Sequence, residues 1–328
     1  MARRNTPSLD EKIEMYRRMR VVRLIEEGLV ERFREGLIRG PIHTCDGQEA
    51  VGIGVTAVLE RQDLITSTHR GHAHFIGKGL DPGRVLAEIF GKETGYCRGR
   101  AGHMLIASAE HGLLGGSAIV GGALPIAIGQ ALGFQVQGSD RVVVPFFGDG
   151  AAHIGMFHEA LNIAGLWKLP VVFVCEHNEY GLTVHARHQS PVEDIAVRAE
   201  GYGMPGIKVD GNDAVAVYRA AADAVAGARR GDGPTLIEAK TYRMTGFSTS
   251  DQGGYQPEEE MAAWRSRGPI RRLRRGLAKA LAKGRLDALD GEAEETVAQA
   301  FAYAEDSPLP PAKEAYAEEF APPRGLHA

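Results

Sequence analysis

The chain is 328 residues long, 44% hydrophobic and 24% charged, with a formal net charge of −4, a balance that fits a soluble globular protein and offers no global field to attract nucleic acid or an anionic membrane. Its three cysteines, Cys45, Cys97 and Cys175, are odd in number and far apart, which argues against a disulfide framework and against a zinc site. The apolar runs at 142–147 and 171–175 are too short to span a bilayer, and no apolar segment follows Arg3 and Arg4 to make a secretory signal, so a cytoplasmic setting is expected.

In chain order, residues 9–37 read as a long amphipathic helix, with Ser8 placed to cap it ahead of Asp10 and Glu11. A turn at Arg39-Gly40-Pro41 leads to a helix-like stretch at 48–59, a short strand at 63–67 and a loop at 68–71. From 91 to 122 the sequence is glycine-rich and irregular, and a loop of that length inside a compact domain is usually functional. Residues 125–134 resemble a buried helix built from small side chains.

The best-defined segment follows. Residues 141–147 form a buried strand, Gly148-Asp149-Gly150 a tight turn, 156–166 a helix and 169–175 a second strand, which together make a right-handed βαβ unit. Alternation continues with a helix near 192–202, a strand at 206–209, a helix at 214–229 and a strand at 235–241. Such alternation predicts an α/β fold with a doubly wound, mostly parallel sheet and helices on both faces. A polar loop at 243–256 precedes helices from 258 to about 304. The basic run at 267–275 reads as a solvated helix face, and the tail from Pro308 as extended. The division expected is an N-terminal helical extension at 1–40, the α/β domain at 41–256, and a C-terminal helical extension and tail at 257–328.

Ligands of open α/β sheets sit beyond the carboxyl ends of the strands. Gly148-Asp149-Gly150 and Glu176-His177-Asn178 both occupy that edge, each after a strand of the same βαβ unit. The Asp149 carboxylate and the Asn178 amide oxygen are hard ligands suited to Mg2+, an ion that fills the rest of its octahedron with phosphate oxygens and water. The glycines and Ala151 let backbone N–H groups face a phosphate near the positive end of the next helix. A guanidinium such as that of Arg70 can fork onto a terminal phosphate.

The stretch GDGAAHIGMFHEALNIAGLWKLPVVFVCEHNEYGLT resembles the thiamine-diphosphate signature of the α subunits of 2-oxoacid dehydrogenases (pyruvate, branched-chain and acetoin types). The resemblance extends through residues 42–55, 67–81, 87–104, 115–129 and 241–251. It implies a thiamine-diphosphate-binding fold, with Mg2+ held by Asp149, Asn178 and the Tyr180 backbone carbonyl, and diphosphate held by Gly150, Ala151 and Arg70. His69 falls where the family often has tyrosine, and Arg243 opens a phosphate-proximal loop. Ala118, Ile119 and Val120 take the positions that support the bent cofactor, His43 that of a histidine lining the substrate channel, and His72 that of an active-site histidine.

The sequence also departs from that family's pattern. Phe247 stands where a histidine that assists acyl transfer is usual, and phenylalanine can neither donate a hydrogen bond nor carry a proton. His153 and Ile154 replace the usual polar pair, and His103-Met104-Leu105 replaces serine–methionine–histidine. The glutamate that activates the cofactor's aminopyrimidine belongs, in two-subunit relatives, to the β subunit, so an α2β2 heterotetramer is implied. The reaction implied is decarboxylation of a small 2-oxoacid with transfer of the acyl unit to a lipoyl group, for which a lipoyl acyltransferase would be a further partner. An acyloin-forming or acyloin-cleaving carboligase and a degenerate α-like scaffold remain open as alternatives. A nucleotide-binding dehydrogenase lacks its Gly-x-Gly-x-x-Gly fingerprint.

Overall fold

The computed structural model describes residues 5–314. Helix α1 (Leu9–Arg34) begins with a reciprocal cap: the Glu11 backbone N–H donates to Ser8 Oγ at 3.2 Å, and the Ser8 N–H to the Glu11 carboxylate at 2.8 Å. Then come α2 (Glu49–Thr56), β1 (Leu64–Thr66), α3 (His72–Gly77) and α4 (Pro82–Ile89). The short helices α3 and α4 fall in a stretch left blank by the sequence patterning. Asp81 caps α4, its carboxylate accepting from the Arg84 N–H, and Pro82 occupies the first turn, where its missing donor costs nothing. Residues 91–122 are irregular apart from one 3-10 turn, Ala109–His111.

Helix α5 (Ala123–Val136), strand β2 (Val143–Gly148), helix α6 (Gly155–Trp167) and strand β3 (Val172–His177) form the βαβ unit and its preceding helix. The Gly-Asp-Gly turn is a 3-10 segment, Asp149–His153. A two-stranded hairpin of β4 (Tyr180–Gly181) and β5 (Val184–His185) follows. The helix expected near 192–202 is a 3-10 segment, Ile195–Tyr202. Then come β6 (Gly206–Asp210), α7 (Ala214–Arg229), β7 (Thr235–Lys240), α8 (Glu258–Ser266), α9 (Pro269–Leu277) and α10 (Arg285–Asp306). The tail expected to be extended lies for the most part outside the described residues.

The main sheet runs β1-β2-β3-β7-β6, parallel throughout. Both faces are covered, and the strands' period of two divides the core. Val144, Phe146, Val172, Val174 and Ile237 pack beneath α1, α2 and α7; Val143, Phe147, Phe173, Cys175 and Leu236 pack beneath α5 and α6. This is the doubly wound α/β fold the alternation predicts. Helices α1 and α10 share the larger core: Met15, Met19, Val22, Ile25 and Leu29 of α1 join Leu289, Ala293 and Phe301 of α10. Arg20 pairs with Asp290 at 2.9 Å and Arg32 with Glu305 at 2.8 Å across the same contact.

Two further expectations change. Helix α5 is buried on one face only, with Ile126 55% and Val136 79% exposed, because only Leu124, Ala127, Ile128, Ala131 and Phe134 meet the sheet. The basic run is not simply solvated: Arg272 pairs with Asp210 and Asp213, and Arg274 with Asp287 and Asp290. All three cysteines are free thiols. Among the described residues, no helix is long and apolar enough to cross a membrane.

Candidate active site

Strands β2 and β3 lie in register Gly148↔Glu176, so the chain leaves both at the same sheet edge. Asp149 and Asn178 thereby reach one cavity of about 370 Å³, which is also lined by His43, His69, Arg70, Ala118, Ile119, Val120, Gly150, Ala151, Tyr180, Arg243 and Phe247. Every residue expected from the sequence to touch a cofactor or a metal is in that lining. Of the two histidines expected to be catalytic, only His43 lines it.

Asp149 is buried, and its Oδ2 has no hydrogen-bond partner among the described residues. An orphaned carboxylate oxygen in the interior costs free energy unless something cationic meets it. Asn178, also buried, donates from Nδ2 to Gln48 Oε1 at 3.0 Å, which fixes the amide so that its Oδ1 is the oxygen left for a ligand; the Tyr180 N–H approaches that oxygen at 3.3 Å. Gln48 is a site residue the sequence pattern did not reveal. The Tyr180 carbonyl accepts from Arg243 Nη1 at 3.3 Å. The donor set is therefore a carboxylate, an amide oxygen and a carbonyl, the hard oxygen ligands that Mg2+ takes.

The opposite wall is cationic. Arg70 is buried, donating from Nη1 to the Thr44 carbonyl at 2.5 Å and from Nη2 to the Phe247 carbonyl at 3.1 Å. Arg243 is 1% exposed and donates to the carbonyls of Thr245 and Leu182 and to the Tyr255 hydroxyl, at 3.2, 2.6 and 2.6 Å. Neither forms an ion pair among the described residues. Burial, then the like charge of Arg243, holds the Arg70 guanidinium down at about 10. Two buried guanidiniums that form no ion pair make a receptor for an anion with several oxygens.

Between the walls runs Ser117–Gly121. Gly121 has φ +72°, a backbone conformation that favours glycine, and a Cβ there would press on the end of the Ile154 side chain, 2.2 Å from its Cδ1. Ile154 thus packs under the loop. His153 is turned toward Arg198, 3.4 Å away, outside this cavity.

The imidazoles go to different places. His74 is fully buried, with Nδ1 2.8 Å from Ser67 Oγ, Nε2 3.2 Å from Glu176 and its ring stacked on Phe146. His72 lies one layer behind the cavity, its Nδ1 2.9 Å from Glu26 Oε1 on α1. The same oxygen accepts from the Cys45 N–H and Sγ, each at 2.8 Å. Burial would raise the Glu26 carboxyl, but the charge and hydrogen bond of His72 outweigh it and keep it below its usual range. His72 therefore does not face the cavity, and Glu26 is a support that sequence patterning missed because it sits mid-helix, far along the chain from the loop it holds. Cys45 is a packed donor in this cluster, and burial raises its thiol well above the usual range.

His43 rests against His103 and His69, with ring centroids 5.2 and 4.9 Å apart. Burial first, then Arg70, pulls His43 down to about 4 and His69 to about 3; burial and the neighbouring imidazoles pull His103 to about 2. All three are neutral at pH 7. Phe247 contributes its carbonyl to Arg70 and an apolar side to the cavity.

The sequence matches the family described as dehydrogenase E1 component over residues 16–313. It is 42% identical over 302 residues to the α subunit of acetoin:2,6-dichlorophenolindophenol oxidoreductase of Bacillus subtilis (strain 168), covering 92% of this chain and 91% of that one. It is 42% identical over 268 residues to the α subunit of the pyruvate dehydrogenase E1 component of Porphyra purpurea, covering 80% and 78%. The corresponding acetoin subunit of Cupriavidus necator is 38% identical, covering 91% and 90%. The chain belongs to the dehydrogenase E1 component family, as an enzyme subunit of the α type.

Proposed function

We propose that the chain is the α subunit of a thiamine-diphosphate- and Mg2+-dependent enzyme that acts on a small 2-oxoacid or acyloin and passes the acyl unit to a lipoyl group. One observation carries this reading. A buried, unpartnered Asp149 oxygen and two buried arginines that form no ion pair among the described residues face one cavity, and a divalent metal with a diphosphate satisfies both sides at once. Asp149, Asn178 and the Tyr180 carbonyl would hold the metal. Arg70, Arg243, His69 and the backbone at Gly150 and Ala151 would hold the diphosphate, and the Ala118–Val120 segment would support the cofactor's body. When bound, thiamine diphosphate supplies the electron sink for cleavage next to a carbonyl.

The chain's own residues bind, orient and exclude water. His43 stands at the substrate end of the cavity, and His72 lies behind it, its ring 5.9 Å from that of His103. Besides Asp149, the only carboxylate in the lining among the described residues is Glu176, and it is tied to His74. The activating carboxylic acid is therefore assigned to a β subunit. Ile119, Val120 and Leu182 border the cavity yet are 68%, 49% and 67% exposed, which suits a mouth covered by that partner.

The test is a cofactor titration on the chain assembled with its β subunit, with and without Mg2+. Asp149→Ala should abolish Mg2+-dependent binding; unchanged binding would defeat the metal assignment. Phe247 in the lining favours, as a second reading, release of the acyl unit to an aldehyde or ketone.

A further inference from the structure

The hydrogen bonds around His43 fix where its proton sits. The His43 backbone N–H donates to His103 Nε2 at 3.2 Å. A backbone N–H can only donate, so His103 Nε2 is an acceptor and His103 carries its own proton on Nδ1. His43 Nδ1 lies 2.9 Å from that same His103 Nε2. Two bare lone pairs would repel at this distance, so His43 Nδ1 is protonated and donates. The neutral His43 ring then has no proton on Nε2. That atom has no protein partner among the described residues and is not sealed in the interior, and the residue lines the cavity.

We propose that His103 locks His43 in the Nδ1–H tautomer, and that the bare Nε2 it leaves in the cavity selects a substrate with a hydroxyl beside its carbonyl, an α-hydroxyketone, over one with a carboxylate there. The reasoning is one of donors and acceptors. A hydroxyl donates to a bare imidazole nitrogen; a carboxylate, itself only an acceptor, is repelled by it. Protonating His43 would reverse the preference, but burial together with Arg70 opposes that. The side chain of Phe247, also in the lining, adds no donor for a carboxylate. His103 is 7% exposed and does not line the cavity, so it is a positioning residue.

This inference rests on the cofactor reading above, and the experiment separates the two. Histidine rings of the full chain, labelled with 15N, are read by two-bond proton–nitrogen spectra at pH 7.5, and the assembled, cofactor-loaded enzyme is assayed with acetoin and with pyruvate. His43 is expected to report a protonated Nδ1 and a bare Nε2. His103→Leu, which removes the acceptor, should free the tautomer and lower kcat/KM for acetoin about tenfold while leaving that for pyruvate unchanged or raised; one hydrogen bond accounts for a loss of this order. His103→Gln, which keeps an acceptor oxygen, should restore the acetoin value. A protonated Nε2 in the unaltered chain, equal losses for both substrates in His103→Leu, or a preference for pyruvate in the unaltered enzyme would each overturn the proposal. Failure of the assembled enzyme to bind thiamine diphosphate would instead overturn the cofactor reading, and the proposal with it.

Discussion

Replacing Glu26 by alanine removes the one carboxylate oxygen that accepts from the Cys45 N–H, the Cys45 thiol and His72 Nδ1, at 2.8, 2.8 and 2.9 Å. All three partners are buried, so the variant leaves interior donors without acceptors. Breaking a buried charged cluster from one side costs about 3–5 kcal/mol. For a chain of this size about 2 °C is lost per kcal/mol, which puts the fall in Tm at about 6–10 °C. Glu26→Gln keeps an acceptor and loses only the charge, so its cost should be about 1–2 kcal/mol. Urea unfolding of the cofactor-free chain, followed by circular dichroism, gives both numbers. The pH dependence supplies a second check. A carboxyl whose folded pKa is lowered contributes stability that is complete above its ordinary value of 4.5 and is lost as pH falls through the folded pKa. Glu26→Gln should therefore flatten the acid limb below pH 4.5. A Glu26→Ala variant within 1 kcal/mol of the parent, or an unaltered acid limb in Glu26→Gln, would refute the reasoning.

His43, His69 and His103 open an earlier acid window. Each is held below 6.5 in the folded chain, so the unfolded state takes up protons first, and stability should fall as pH drops below 6.5 toward 4, by up to about 1.4 kcal/mol per pH unit per histidine; an acid limb that begins only below 4.5 would show these rings are not held neutral. Arg70→Lys should weaken diphosphate binding about tenfold or more by losing the planar fork, measured by cofactor titration of the assembled enzyme. Arg70→Ala should leave the cofactor-free chain as stable or slightly more stable, since it removes one of two facing cations; a clear loss of Tm would show that Arg70 is a structural strut. Lys168 ends α6 at φ 50° and ψ 46°, and Lys168→Gly should stabilise the chain by about 1 kcal/mol in urea unfolding.

The sequence was most legible where one period dominates. The strands at β2, β3 and β7 and the helix α7 follow from their apolar runs and alternation, and the Gly-Asp-Gly turn between β2 and α6 marks the sheet edge that carries the site. The lining residues were legible because they cluster in short motifs. What was not legible lies in pairings across distance. Helix α3 is six residues of mixed histidine and small apolar side chains, with no visible period. Glu26 and Gln48 reach the site only because α1 and α2 pack behind it. His72 carries the right motif yet turns inward, since Glu26 offers it a buried carboxylate. His103 shows its role only once the chain brings it to His43, 60 positions away in sequence. The half-exposed face of α5 could not be told from a buried one, because small residues suit the core and a partner surface alike.

The clasp between α1 and α10 has a consequence for biosynthesis. Glu26 emerges from the ribosome long before Leu289, Ala293 and Phe301, the residues that back the helix carrying it. Until those arrive, that apolar side of α1 has no cover and its carboxylate no fixed address. A stop codon ahead of α10 would spare every residue that lines the cavity and still leave its rear wall unsupported. A helix made late guards the centre of the molecule.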